Sequence, residues 1–488
     1  MKINVKVLIP LLVWAVLAIY PYVFGAPAGL NTSSWLYFAL FAAVILGLIL
    51  EPIPAAAIGL IGVTVATAMR YVNANIATSI SWGLSGFADT TVWLIFGAFV
   101  FSMGYNKTGL GRRIALWLVQ KLGKNTLGLG YAITLADLVL APGTPSNTAR
   151  SGGTIFPVIR NIPALYGSEP NTPTARKIGS FIMWTALAAT CVTSSLFITA
   201  LAPNAAALTI VKNTAKLDIN WVQWFTGFLP IGIVLLVLVP ALVYFLYPPE
   251  IKSSKEIPEW AGKERAKMGK VTNQEWIMVG LVVLAIFLWI AGSNDLIDLP
   301  YLGKNFINAT TVVLVGIALM IVTKVVTWDE ILANKSAWNV LVWFATLVTL
   351  ANGLNQVGFV SWFAKLAAAP LAGMDPIVAM GLLVALFFFI HYFFASLSAH
   401  TAAVLPVVLA VGMQIKGIPL LPFALLLVYA LGLMGIISPY ATGPSPIYYG
   451  SGYISRTDFW KLGLIFGVIF VVALIGIGVP YLTAFPPK

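Results

Sequence analysis

"APGTPSNTARSGGTIFPV", residues 141–158, interrupts a hydrophobic run with prolines, glycines, hydroxyls and one arginine. Backbone within a bilayer must satisfy its own hydrogen bonds, so non-helical chain survives there only inside protein or beside a water-filled cavity. Pro142, Gly143 and Pro145 stop the helix arriving from "YAITLADLVL" (131–140), and the chain restarts after Ser146. A restarting helix offers free N–H groups and the positive end of its dipole, which favours an anion. Ser146, Asn147 and Thr148 add short hydroxyl and amide groups suited to carboxylate oxygens. The simpler alternative is that Ser146 only caps a helix.

Composition places that break in a membrane. Hydrophobic residues make up 60% of the 488 and charged residues 9%, against roughly a quarter charged in a soluble domain. Apolar runs such as 7–25, 35–50, 225–247, 276–292 and 459–479 have the length of spanning helices. They lack the period-two alternation of a transmembrane barrel. The expected class is therefore an all-α polytopic membrane protein embedded in lipid. The excess of 28 Lys and Arg over 16 Asp and Glu fits positive cytoplasmic loops better than nucleic-acid binding, so no nucleic-acid partner is expected.

Lys2 and Lys6 place the N-terminus in the cytoplasm, and the basic cluster at 252–270 places the central linker there too. With "PYLTAFPPK" outside, six crossings before the linker and five after fit the runs, about 11 in all, in a plasma (inner) membrane. The lone Cys191 excludes an intramolecular disulfide, and no His/Cys/carboxylate cluster has metal-ligand spacing, so neither metal nor cofactor is expected.

The chain repeats itself across that linker. Asn106-x-x-Gly109 is answered by Asn355-x-x-Gly358, offset by 249, and Thr148 of "SNTA" by Thr401 of "SAHTA", offset by 253. "ITALAPNAA" (198–206) and "SPYATGPSP" (438–446) form a third pair, each a proline-containing break. Gly/Pro-interrupted segments in matching positions point to a transporter with a midplane site, and an odd number of crossings per repeat inverts the second copy. The expected division is an extra span at 1–30, a first repeat at 31–247 with its tip at 146–148, a linker at 248–274, and a second repeat at 275–488 with its tip at 398–401.

Ionisable groups in membrane segments are functional candidates by default. They are Arg150, Asp137, His391 and His400. Asp137 reads better as the ion-pair partner of Arg150 than as a proton site. His391, among aromatics, reads as a neutral core histidine. On the 253 offset His400 replaces Asn147 and Ala399 replaces Ser146.

"PSNTARSGG" (145–153) and "LSAHTAAVLPV" (397–407) resemble the divalent anion/sodium symporter (DASS) family, closest to its bacterial citrate, tartrate and succinate exchangers and plastid 2-oxoglutarate/malate translocators. The resemblance implies eleven spans, two re-entrant hairpins, a homodimer and an elevator mechanism. It implies that Ser146, Asn147 and Thr148 from one tip, and Ser398, His400 and Thr401 from the other, contact a dicarboxylate. The breaks at Ala202, Pro203 and Asn204, and at Thr442, Gly443 and Pro444, would close the site. The stretches 109–125 and 358–368 resemble the family's interfacial arm helices.

Sodium-coupled members carry Ser-Asn-Thr, or close to it, at both tips, so the altered second tip argues against sodium there. Arg150 and a protonated His400 would then supply the charge that offsets a dianion, and a site with fixed charge is reluctant to cross empty. The expected activity is sodium-independent exchange of malate, succinate, fumarate or 2-oxoglutarate. The alternative is sodium- or proton-coupled symport. An enzyme is not expected: there is no Gly-x-Ser-x-Gly elbow, and a serine two residues from its histidine on one helix points elsewhere.

Overall fold

The structure, a computed structural model, describes residues 5–253, 255–292, 300, 306–371 and 373–487. Lys2 and Lys488, used above to orient the termini, lie outside the described residues. Among the described residues the regular elements are helices, and one isolated bridge joins Asn125 to Ser253. Among the described residues eleven helices are long and apolar enough to cross a bilayer, as expected of an all-α polytopic membrane protein. Asparagines start many of them. Asn31, Asn75, Asn125, Asn308 and Asn334 each accept a backbone N–H from the first turn, and Asn220 forms a capping box with Gln223.

The repeat is visible in the backbone. Thr126–Leu140 and Pro376–Ile390 are both 15 residues long and both run into a three-residue 3₁₀ turn, Ala141–Gly143 and His391–Phe393. Ala55–Ala68 and Ala309–Val322 are both 14 residues long, and Arg70 and Lys324 follow them with φ of 55° and 58°. Gly109 and Gly358 precede the arm-like helices Leu110–Leu122 and Phe359–Ala368 with φ of 77° and 78°. That left-handed backbone, which glycine adopts without penalty, explains the recurring Asn-x-x-Gly.

The chain forms two compact units, each drawing on both sides of the linker. The first comprises Met1–Phe96, Ala205–Ile219 and Asn334–Leu427. Its core packs Ala55–Ala68 on Lys335–Gln356 through small residues: a Cβ on Gly59 would run into Thr346, and Gly86 N–H donates to Thr349 Oγ1 at 3.0 Å. The Tyr37 hydroxyl donates to the Leu350 carbonyl at 2.7 Å.

The second unit comprises Gly97–Asn204, Asn220–Ala333 and Val428–Lys488. At its centre Gly179–Leu196, which has no charged residue, is buried at every residue. Trp221–Leu246 and Thr126–Leu140 pack against it. Trp224 Nε1 donates to the Ser195 carbonyl at 2.8 Å, Ser195 Oγ to the Tyr429 carbonyl at 2.8 Å, and Tyr429 Oη to the Trp224 carbonyl at 2.9 Å. Gly432 admits this approach, because a Cβ there would lie 2.7 Å from Ser195 N and 2.8 Å from the Cys191 carbonyl oxygen.

The polar linker is folded. Glu256–Lys267 is a helix that buries Ile257 and Ala261 and lies on Leu110–Leu122, with Arg112 paired to Glu264 at 3.1 Å. Arg113 pairs with Glu275 at 2.5 Å and donates to the Gly269 carbonyl at 2.9 Å.

Gly432→Ala should lower the melting temperature in detergent by an amount equivalent to about 1–3 kcal/mol, the usual cost of overpacking a tight contact. Gly476→Ala, where nothing lies within 4 Å of the added Cβ, is the control and should not destabilise. Equal melting of the two variants would contradict the packing described.

Candidate functional site

The helix Thr126–Leu140 ends at the turn Ala141–Gly143 because Pro142 has no N–H to continue the ladder. Thr144 is extended at φ −135°, ψ 93°, and the chain restarts as the wide π-turn Thr148–Ile155. Ser146 Oγ accepts the Ala149 N–H at 3.2 Å, so this serine does cap the restart. Thr148 is exposed, Ser146 is half-buried, and Asn147 is buried.

Two of the sequence candidates meet this tip directly. Asn147 Nδ2 donates to Thr442 Oγ1 at 2.8 Å, and a Cβ on Gly443 would collide with Thr148 Oγ1. Thus Asn147 and Thr148 face the break that contains Thr442, Gly443 and Pro444, with Pro444 opening the helix Pro444–Gly450. Sequence reasoning missed a second seam, where Ser151 Oγ lies 2.7 Å from Tyr448 Oη.

Arg150 is fully buried, and all five of its N–H groups are used inside the protein. Nε donates to Asp137 Oδ2 at 3.0 Å, and Nη1 donates to the carbonyls of Thr144 at 2.9 Å and Ala200 at 2.8 Å. Nη2 reaches Ser194 Oγ at 3.0 Å, Thr193 Oγ1 at 3.3 Å and Thr190 Oγ1 at 3.4 Å. Thr193 also donates to Asp137 Oδ2. The ion pair expected of Asp137 and Arg150 is therefore present, and it leaves no arginine N–H for a ligand. The signal for this shell was the hydroxyl run "TCVTSS" (190–195) in an otherwise apolar helix.

The second break lies beside it. Phe197 and Leu201 are extended around the 3₁₀ turn Ile198–Ala200, and Ala202 and Pro203 start the next helix. Asn204 is buried, and its Nδ2 donates to the carbonyls of Ser194 at 2.7 Å and Phe197 at 3.1 Å. Asp137 Oδ1, Thr199 Oγ1 and Asn204 Oδ1 are buried without a hydrogen-bond partner among the described residues. The junction thus keeps unused acceptors as well as the tip's hydroxyls.

The remaining candidates belong to the first unit, where Pro376–Ile390, the turn His391–Phe393 and the helix Leu397–Gln414 form the second tip. The backbone register differs from the one inferred from sequence. Ser396 Oγ accepts the Ala399 N–H at 3.4 Å and His400 N–H donates to the Ser396 carbonyl at 3.1 Å, matching Ser146–Ala149 and the Arg150 N–H to the Ser146 carbonyl at 2.9 Å. The offset is 250, so His400 stands where Arg150 does, not where Asn147 does. Leu397 occupies the Asn147 position and Ser398 that of Thr148. Aligning threonines misplaced the tip because the cap, not the threonine, fixes the restart.

Around His400 the rings of Phe387, His391 and Phe394 stand edge-on at 4.5, 5.1 and 5.1 Å, and neither imidazole nitrogen has a hydrogen-bond partner among the described residues. Thr401 Oγ1 donates to the Leu397 carbonyl at 2.8 Å, and Ser398 is half-buried.

A family model described as "Sodium:sulfate symporter transmembrane region" matches residues 1–485. The chain belongs to this family. It is the DASS family that the tip motifs resemble, and the chain is a membrane transporter rather than an enzyme. It is 48% identical over 490 residues to the citrate/succinate antiporter of Escherichia coli (strain K12), covering 98% of this chain and 97% of that one. It is 46% identical over 482 residues to the L-tartrate/succinate antiporter of the same strain, covering 96% of each. The crystal structure of the Alcanivorax borkumensis YdaH transporter aligns with a TM-score of 0.58 at 14% identity, covering 85% of this chain and 90% of that one, and so shares the fold.

Asp137→Asn leaves the Arg150 charge buried without its counter-ion, which should cost about 3–5 kcal/mol, read as a lower melting temperature. The double variant Asp137→Asn/Arg150→Gln should regain at least half of that loss. A single variant that melts like the parent would show that the pair carries no such weight.

Proposed function

We propose that this transporter exchanges small di- and tricarboxylates across the plasma (inner) membrane without sodium, one acid leaving as another enters. The observation that carries this is end-to-end similarity to antiporters named for citrate, tartrate and succinate. Malate, fumarate and 2-oxoglutarate present paired carboxylates of similar spacing and belong to the proposed range. Ser146, Asn147 and Thr148 of the first tip, and Ser398 of the second, offer hydroxyl, amide and helix-start N–H donors for carboxylate oxygens, while Thr401, whose hydroxyl donates to the Leu397 carbonyl, acts as a positioning residue in the second tip. Pro203, Asn204, Thr442, Gly443 and Pro444 line the breaks that complete the site. Arg150 acts as a positioning residue, since its N–H groups hold the tip at Thr144 and the break at Ala200. His400 acts by shape, because a protonated imidazole with no hydrogen-bond partner among the described residues for either nitrogen is costly to bury.

The proposal extends to re-entrant hairpins at both tips, an elevator motion, a homodimer, a cytoplasmic N-terminus and the domain division given above. Leu397 in place of Asn147 removes the side-chain amide from the second tip, which supports sodium independence. Sodium- or proton-coupled symport is the second reading. The family's description and the unpartnered oxygens of Asp137, Thr199 and Asn204 favour it.

Proteoliposomes loaded with unlabelled succinate should take up labelled succinate, citrate or tartrate equally well with and without sodium, while empty vesicles take up little. Strong sodium-driven uptake into empty vesicles would replace exchange with symport. Asn147→Ala should slow exchange at least about tenfold, the scale of one lost hydrogen bond to a charged group, and Thr401→Ala and Arg150→Ala should abolish it.

A further inference from the structure

The Asn-x-x-Gly pair that disclosed the repeat has different partners in its two copies. Asn355 Nδ2 donates to Thr214 Oγ1 at 3.1 Å. Asn106 does the reverse: its Oδ1 accepts from Thr154 Oγ1 at 3.2 Å, and its Nδ2 makes no hydrogen bond among the described residues.

Asn106 opens onto a half-open surface cleft of about 620 Å³ within the second unit, in which Asn106, Arg112, Arg160 and Asn161 are exposed. Tyr105, Arg112, Thr154, Arg160 and Asn161 line it with Asn106, and no carboxylate does. Arg112 is shared with Glu264. Arg160 is exposed and makes no ion pair among the described residues, so its charge is available.

The cavity backs directly onto the first tip. Thr154 belongs to the same π-turn as Thr148, and its one hydroxyl hydrogen is shared between Asn106 Oδ1 and the Ala149 carbonyl, the latter at 3.3 Å. Tyr105 lies against Gly143 of the stop turn. Gly153 keeps the wall open, the nearest atom to a Cβ there being the Thr148 carbonyl oxygen at 3.9 Å.

We propose that this cavity is an outer anion station, which receives carboxylate groups of the transported acid through Arg160 and the free amide of Asn106. It rests on the carboxylate-exchange reading above. A guanidinium takes a carboxylate in a two-pronged pair, the amide N–H takes an oxygen of the second carboxylate, and a cleft of one charge sign raises the local concentration of its counter-ion.

The test is exchange of labelled succinate by the full chain in vesicles. Arg160→Gln should raise KM roughly three- to tenfold, the scale of one charge acting on a dianion through partly screened water, with kcat within about twofold. The rise of the parent's KM with added salt should flatten, Arg160→Lys should restore most of the loss, and Asn161→Asp should raise KM as well. Unchanged KM in both Arg160→Gln and Asn161→Asp overturns the proposal. So does an Arg160→Gln effect that vanishes when phosphatidylglycerol is omitted, because the cavity then holds a lipid phosphate. If the parent protein exchanges no di- or tricarboxylate under any condition, the functional reading itself fails, and this proposal fails with it.

Discussion

An arginine sealed from water must find an acceptor for each of five N–H groups, and the second unit is organised around that requirement for Arg150. Its acceptors come from four places: Asp137 on the incoming helix, Thr144 in the tip, Thr190, Thr193 and Ser194 on the buried central helix, and Ala200 in the second break. Two of the acceptors are backbone carbonyls outside the α-helices, at Thr144 and at the end of the 3₁₀ turn Ile198–Ala200, where a membrane protein must supply partners of its own. One guanidinium therefore satisfies the broken backbone of two segments and fixes the distance between them. Asp137 cancels its charge. The first tip thus offers hydroxyls, an amide and a helix start, and Arg150 adds no free charge to it.

The same position in the first unit is handled with other chemistry. At the constant offset of 250, His400 replaces Arg150 and Phe387 replaces Asp137, so an ion pair becomes a ring contact of 4.5 Å. Edge-on aromatic packing holds His400 by area and shape, and neither of its ring nitrogens ties a carbonyl among the described residues. The first tip is pinned by directional bonds, whereas the second is pinned by packing. Two copies of one architecture have in this way reached different internal electrostatics with the backbone pattern retained.

The spans, the broken segments and the recurring Asn-x-x-Gly were legible in the sequence, because hydrophobic length and Pro/Gly punctuation each leave a compositional mark, whereas the left-handed backbone at Gly109 and Gly358 came only with the structure. The pairing of Asp137 with Arg150 was legible as well, since two lone charges in an apolar chain have few alternatives. The destination of the remaining arginine N–H groups was not. Backbone carbonyls look alike in every sequence, and only the fold shows that those of Thr144 and Ala200 face one point. The register of the second tip misled for a related reason: threonine matched threonine, but the helix restart is set by Ser146 and Ser396, which the eye does not pair. Likewise the charged stretch before residue 270 reads as linker, and only the buried Ile257 and Ala261 make it a docked helix.

The helix Gly179–Leu196 presents no residue to lipid or water. The carbonyl and hydroxyl of its Ser195 are tied to Trp224 and Tyr429, which a third bond joins to each other, and its backbone touches the Gly432 strip with no side chain between. Sliding it by one residue breaks those bonds together and drives a side chain into bare backbone. At this contact the second unit is a ratchet with its teeth locked, and it resists shear of the central helix along its axis.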